Sequence, residues 1–584
     1  MIRWFSPRRA ALLVLSLLSA CAASGVSSGV SSGVASRGIT GATSTPLAAA
    51  SIAASSFLQA RFAASQGALA LSAAQFLRAH EADPSSLALH EQAFLAALLA
   101  GRLDVASLAH GLPKNQAAQY VLINEAARQR HWQAALQRLK AVPETGVGRV
   151  LVPLLTAWCE QGAGQTDAAL ATLRPLMDQP NTRALATLHA AMIEDLAGRT
   201  AQADRNYATA AAAFGPASLD LARTFASWDA RQGRKQEALG VLAGLGSQGE
   251  MGLAQPGLIR DVAQRVIRRP TDGMAAAYRF VALAVRQQNN GSSALVLLRL
   301  ALNIRPHDTM SRLAMSDIYG ASQQDALALD VLDPVSKSDP LYPAVQLRRA
   351  LYMMALHNNQ GALDIMRGLV KAFPTQPEPA MLQGDILHAE KKYAAAIKAY
   401  DLALARTKHP GPGDWLLYFD RGVAYDQSGK WPLAEADFRQ ALKLSPTQPA
   451  VLNYLGYSLA NRGIDLPEAR QMIEKALAAQ PNDGAIVDSL GWVTLKQGDV
   501  AGAVRYLERA VELMPEDPTI NGHLGDAYAA AGRKLEAAFQ WQRALDLNPS
   551  PKDAAALRAK LAQAEQALRE GAGPAQAAPK KAVH

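Results

Sequence analysis

From about residue 273 onward, apolar residues fall three and four positions apart inside a longer period. Gly422 is followed by Tyr425, Ala434, Phe438, Ala441 and Pro446. The same roles pass to Gly456, Leu459, Ala469, Ile473, Ala476 and Pro481, then to Gly491, Thr494, Ala503, Leu507, Ala510 and Pro515. A fourth set is Gly525, Tyr528, Ala537, Trp541, Ala544 and Pro549, so the small head residue steps by 34, 35 and 34. Spacing of three and four marks one face of a helix. Glycine at Ser428-Gly429, Gln497-Gly498 and Ala531-Gly532 stops the first helix of each unit. Proline, which lacks an amide donor, stops the second. Each unit therefore predicts two short antiparallel helices. Such a pair buries its apolar faces only by stacking on a neighbour.

This G-x2-Y…A-x3-F…P spacing resembles the tetratricopeptide repeat (TPR). The resemblance implies an all-α fold, a right-handed α-solenoid of helical hairpins. Carried upstream, the register finds heads at Ala282, Ser316, Ala350 and Gly384, each 34 apart, with a stretched link from Thr407 to Gly413. Eight units are expected over 273–550. Degenerate hairpins are expected over 51–247, as at Ala157 with Ala169, Ala191 with Ala203 and Tyr207, and Ala226 with Ala238. Between Ala238 and Ala294 the interval is 56 residues, so residues 248–272 are read as an interrupting segment with an extra helix near Leu258–Arg268. Residues 551–570 read as a capping helix and 571–584 as a loose tail.

The first residues follow a different pattern. Arg3, Arg8 and Arg9 precede a short apolar run, Ala10 to Leu18, too short to span a bilayer. Residues 1–20 are therefore expected to be a signal peptide. Leu18-Ser19-Ala20-Cys21 resembles the bacterial lipobox, which implies lipid attachment at Cys21; the alternative is an ordinary secretory signal with a chance cysteine. Ala22 in place of aspartate points, by the same resemblance, to the outer membrane. Residues 21–50 contain Ser24-Gly25-Val26 and its repeats, and this Ser/Gly-rich composition predicts a flexible tether. Its r.m.s. reach is roughly 30 Å.

Composition narrows the function class. The chain is 49% hydrophobic and 6% aromatic, as suits packed helices. Three of its net nine positive charges sit on Arg3, Arg8 and Arg9, leaving +6 over more than five hundred residues, no nucleic-acid footprint. Arg260, Arg265, Arg268 and Arg269 cluster in the interrupting segment and read as a solvated helix face rather than a binding patch. With Cys21 lipidated, Cys159 has no disulfide partner, and beside Trp158 it reads as a buried inert thiol. Two G-x-S-x-G matches lie in the tether, where no strand or helix builds a nucleophile elbow. Metal and phosphate-loop motifs are absent from the sequence. No catalytic residue, cofactor or metal is assigned, and the chain reads as a non-enzyme.

In the TPR family the first (A) helices line the binding groove, and register transfers its positions to Phe419, Asp426, Asn453, Tyr457, Asn461, Asp488, Trp492 and Lys496, with His388 one unit earlier. Tyr457 and Trp492 are either groove anchors or packing between adjacent A helices. Residues 452–541, with the lipobox-tether-solenoid layout, resemble outer-membrane lipoproteins carrying these repeats. Some relatives of that kind bind a periplasmic carboxyl-terminal processing protease and present cell-wall hydrolases to it. The resemblance implies an adaptor for periplasmic proteins, or alternatively an assembly scaffold for a secretion or polysaccharide-export system. Self-association through the N-terminal units is a further option.

Overall fold

The computed structural model describes residues 46–571, apart from 103, 215–217, 247–248 and 289. Cys21, the expected signal peptide, most of the tether and the tail from 572 lie outside the described residues. Every regular element among the described residues is helical. The first helix, Pro46–Ser65, begins inside the expected tether, because Pro46 at the first helical position is followed by an alanine-rich run.

The chain divides between Lys408 and His409 into two compact units. The break falls in the stretched link, so four of the eight expected heads lie on either side. In the 409–571 unit the pairs are Trp415–Gln427 with Trp431–Leu444, Pro449–Arg462 with Leu466–Ala479, Gly484–Lys496 with Val500–Leu513, and Pro518–Ala530 with Lys534–Asp546. Helix Pro551–Gly571 packs on the last. Close crossing of each pair requires the small head. A methyl on Gly456 would sit 2.8 Å from Ile473, and one on Gly525 2.5 Å from Trp541. Ala434, Phe438 and Ala441 are fully buried, as are Ala469, Ile473 and Ala476.

The 40–408 unit uses the same hairpins but folds back on itself. Helix Pro270–Gln287 opens the fourth-last hairpin, and it packs against Gly148–Gly162 and Pro180–Leu196, A helices of the degenerate repeats. Gly273 lies against the Trp158 ring, where a methyl would come within 2.1 Å. The Tyr278 hydroxyl donates to Asn124 Oδ1 at 3.0 Å, and Asn124 Nδ2 donates to the Leu300 carbonyl at 3.1 Å. Arg279, 4% exposed, pairs with Asp220 at 2.5 Å and with Asp308 at 2.8 Å. Ten consecutive residues of Pro180–Leu196, from Ala186 to Asp195, are buried. A helix buried on all sides has neighbours on all sides. The A-helix face of the degenerate repeats is thus filled by the chain itself.

The interrupting segment differs from expectation. Its helix is Gly249–Arg260, not Leu258–Arg268, and residues 261–269 are turns and bends. The reason is local. Pro270 holds Arg269 extended, at φ −143° and ψ 155°, and Asp272 Oδ2 accepts from the Arg268 and Arg269 amides at 2.9 and 3.1 Å. Those contacts start a new helix and end any continuation of the old one. Helix Gly249–Arg260 packs on Tyr342–Ala355, with Glu250 paired to Arg348 at 2.6 Å. The arginine cluster therefore does not form a solvated helix face. Cys159 is fully buried, and burial, then the Glu160 carboxylate, pushes its thiol up to about 12.

Gly273→Ala is expected to destabilise the 40–408 unit by about 3 kcal/mol, because the buried Trp158 ring has no room to yield. Gly368→Ala, exposed inside a helix with open space around it, is expected to stabilise that unit by about 1 kcal/mol. Denaturant titration of each variant checks both signs.

Candidate functional site

The groove residues predicted from register lie on the A helices of the 409–571 unit, except His388, which belongs to the other unit and sets its ring 5.5 Å from Tyr393. These helices are set firmly at their starts. Asp483 accepts from the Ala485 and Ile486 amides at 2.9 and 3.2 Å, and Asp517 caps the next A helix in the same way. Pro449 occupies the first position of its helix. Capping satisfies backbone donors that a helix start would otherwise leave unpaired. Helix Pro449–Arg462 then packs against Gly484–Lys496, and that one against Pro518–Ala530.

Two clusters result. In the first, Phe419 packs edge-on to Tyr454 at 5.7 Å and beside Phe438 at 5.8 Å, so it belongs to the core of its hairpin. Asp426 accepts from the Tyr454 hydroxyl at 3.1 Å and forms an ion pair with Arg462, whose guanidinium lies 4.0 Å over the Trp431 ring. In the second, Asp488 is 3% exposed and its two oxygens lie 2.9 and 3.0 Å from His523 Nδ1. The His523 ring stacks on Trp492 at 4.2 Å and lies 6.1 Å from Tyr457. Lys496 is exposed and holds its ammonium 4.6 Å from the Trp492 ring. Asn461 is also exposed.

Tyr457 and Trp492 thus do pack between A helices, but the packing leaves polar atoms unpaired. Trp492 Nε1 and Asn453 Oδ1, on adjacent A helices, are buried without a hydrogen-bond partner. One is a donor and the other an acceptor. Burial, followed by the Asp488 and Asp553 carboxylates, pushes the Tyr457 phenol well above its usual range. The far end of this face is covered: Lys560 of Pro551–Gly571 pairs with Asp526 at 2.7 Å. Among the described residues no group of three or more His, Cys, Asp or Glu side chains is placed to hold a metal ion.

Register analysis missed His523, Tyr454 and Arg462. His523 lies 35 residues after Asp488, as Asp488 lies 35 after Asn453, but its head Gly525 lies only 34 after Gly491. A ruler fixed on the glycines therefore passes it by one residue.

The two buried histidines respond oppositely to pH. Burial alone would lower His523, yet Asp488 and, more weakly, Asp526 raise it above 6.5. It binds its proton more tightly folded than unfolded, so its stabilisation is full below 6.5 and is lost as pH rises through the raised value. His189 accepts from Trp158 Nε1 at 2.8 Å, and burial, with Arg279 adding to it, lowers it to about 3. Its contribution is full above 6.5 and declines as pH falls towards about 3. In NMR titration His523 is expected to have a midpoint above 6.5, which Asp488→Asn brings below that value. A His523 midpoint unchanged by Asp488→Asn would contradict the pairing.

Comparison with known proteins fits this geometry. A family model described as tetratricopeptide repeat matches residues 347–412, 419–484 and 489–554. The chain is 32% identical over 226 residues to the TPR repeat-containing protein PA4667 of Pseudomonas aeruginosa, covering 38% of this chain and 36% of that one. It is 54% identical over 43 residues to the Lipoprotein NlpI homolog of Haemophilus influenzae, covering 7% of this chain and 14% of the relative. The chain thus spans little more than a third of the first relative. A solved structure of the APC/C hetero-tetramer Cut9-Hcn1 aligns with 88% of this chain and 96% of that one, at 16% identity and a TM-score of 0.37. The fold is all-α, with tetratricopeptide repeats over the matched residues, and stacked repeats of this type create extended concave binding surfaces.

Proposed function

We propose that the chain is an outer-membrane-anchored adaptor whose 409–571 unit docks an extended segment of a periplasmic protein and brings it to a processing protease. The observation that carries the docking site is the unpaired couple on adjacent A helices, Trp492 Nε1 and Asn453 Oδ1. Buried polar groups without partners are rare in native proteins because each forfeits its hydrogen bonds to water. A peptide backbone offers a carbonyl to the first and an amide to the second. Its side chains would lie against Tyr457 and the Trp492 ring after the flexible Lys496 swings aside. Asn461 and Lys496 supply polar contacts at the rim.

The 40–408 unit supports the same assignment from the other direction, since the A-helix face of its degenerate repeats is filled by Pro270–Gln287. The anchor rests on the lipobox at Cys21, and no helix among the described residues is long and apolar enough to cross a membrane. Tethering two proteins on one scaffold makes their encounter nearly intramolecular. The lipoprotein relative supports the envelope setting.

Partner capture from cells by brief crosslinking of tagged full-length protein tests the reading. Recovery of a periplasmic protease or wall hydrolase is expected, and Trp492→Phe, which keeps an aromatic ring, though a smaller one, and removes the donor, is expected to lower it about threefold to tenfold. Tyr457→Ala with Trp492→Ala is expected to abolish it. Recovery of secretion or export subunits instead would replace the adaptor with an assembly scaffold. Recovery indifferent to both variants would remove the groove assignment. Separately, Cys21→Ser is expected to move the chain from the membrane fraction to the soluble one; retention on the membrane would overturn the lipid anchor.

A further inference from the structure

The 40–408 unit holds a cleft of about 450 Å³ beneath the turn that joins Gly249–Arg260 to Pro270–Gln287. Its volume lies within the range of small-molecule sites. Five arginines line it, Arg223, Arg265, Arg268, Arg269 and Arg305, against two carboxylates, Asp261 and Asp272. The lining thus carries a surplus of three positive charges.

The guanidinium groups are not equally occupied. Arg265 holds Asp195 at 3.1 Å, and Arg305 holds Asp272 at 3.1 Å. Arg268 donates only to neutral acceptors, the Gln264 Oε1 at 2.6 Å and the Arg265 carbonyl at 3.2 Å. Arg269 lies 3.8 Å from Asp272 with its side chain 68% exposed. Arg223, half-buried on Leu219–Arg231, makes no hydrogen bond or ion pair among the described residues. Arg223 and Arg268 lie in the field of Asp261, which Arg260 already holds at 3.0 Å, and Arg269 has only the 3.8 Å contact with Asp272, so three forks converge on one cleft with no carboxylate hydrogen-bonded to any of them. Like charges gathered this way repel, and nothing in the packing of the repeats demands them: the cores of these hairpins are alanine, leucine and aromatic residues.

We propose that this cleft binds a diphosphate group, carried on a soluble molecule or on a lipid headgroup. The planar guanidinium fork matches phosphoryl oxygens two at a time, which an ammonium does not. A surplus of three charges balances the two to three negative charges of a diphosphate near neutral pH. A single phosphate would leave most of the cleft empty. The site is separate from the peptide groove and does not depend on it.

Calorimetric titration of the full chain with inorganic pyrophosphate tests the soluble form. Flotation with phosphatidylcholine vesicles doped with diacylglycerol pyrophosphate tests the lipid form. Binding in either arm is expected, weakening with salt, and Arg223→Gln with Arg268→Gln is expected to reduce affinity about tenfold or more. Arg269→Gln, whose exposed side chain is not needed for folding, guards against a collapsed double variant and is expected to cost about threefold. Arg367→Gln, whose exposed side chain pairs with Asp364 outside the lining, is expected to leave binding unchanged. Absence of binding in both arms, binding that survives the arginine variants, or equal binding of citrate at matched ionic strength would each overturn the proposal.

Discussion

A two-helix hairpin of about thirty residues buries its apolar stripe only against another hairpin, and most of this molecule follows from that constraint. Stacking must be close, so a small residue, glycine, alanine or, at Ser316, serine, stands at each head where an A helix crosses its B helix. At Gly456 and Gly525 the partner side chains occupy the space a methyl would need. Stacking also leaves one face of A helices over. That face must be solvated, filled by the chain itself, or held for something else.

The two compact units answer this differently. In the 40–408 unit the long helix Pro270–Gln287 enters the face of the degenerate repeats, and Tyr278, Arg279 and Gly273 each find a buried partner there. The buried triad of Arg279, Asp220 and Asp308 fixes this helix lengthwise, since a shift would strand a charge in a low-dielectric interior. In the 409–571 unit Ile486 to Thr494 of Gly484–Lys496 are buried as well, here among the neighbouring repeat helices. The cap helix covers its far end through Lys560 and Asp526, and Asn453 and Trp492 keep unpaired polar atoms nearer the middle. Unpaired polar atoms remain on both faces, His189 Nε2 on the first and Asn453 Oδ1 with Trp492 Nε1 on the second.

Much of the repeat was legible because packing at the crossing restricts residue type severely: few residues but glycine and alanine fit at 422, 456, 491 and 525, and register follows. The division at Lys408–His409 was not legible in the sequence, which reads as one array over 273–550 although the link Thr407–Gly413 is stretched. The self-filling of the 40–408 unit was not legible. Residues 270–287 carry the same period as any other A helix, and nothing in a periodicity says which surface a helix meets. The interrupting helix was misplaced by about nine residues because apolar spacing outweighed Pro270 and Asp272, which begin the next helix. The arginines nearby read as solvated because sequence separation hides convergence: Arg223 and Arg305 come from different hairpins. At the candidate groove, register found Asp488 and Trp492 but not His523, which a single extra residue shifts out of phase.

The central claim is that the A-helix face of the 409–571 unit receives a partner while that of the degenerate repeats is already filled. Hydrogen–deuterium exchange on the full chain, with and without a captured partner, measures this directly. The account predicts that partner binding slows exchange in Pro449–Arg462, Gly484–Lys496 and Pro518–Ala530, and leaves Gly148–Gly162, Pro180–Leu196 and Pro270–Gln287 slow in both states. Fast exchange in Pro270–Gln287 that slows only with partner bound would contradict it, because that helix would then be a displaceable occupant and the partner site would lie beneath it.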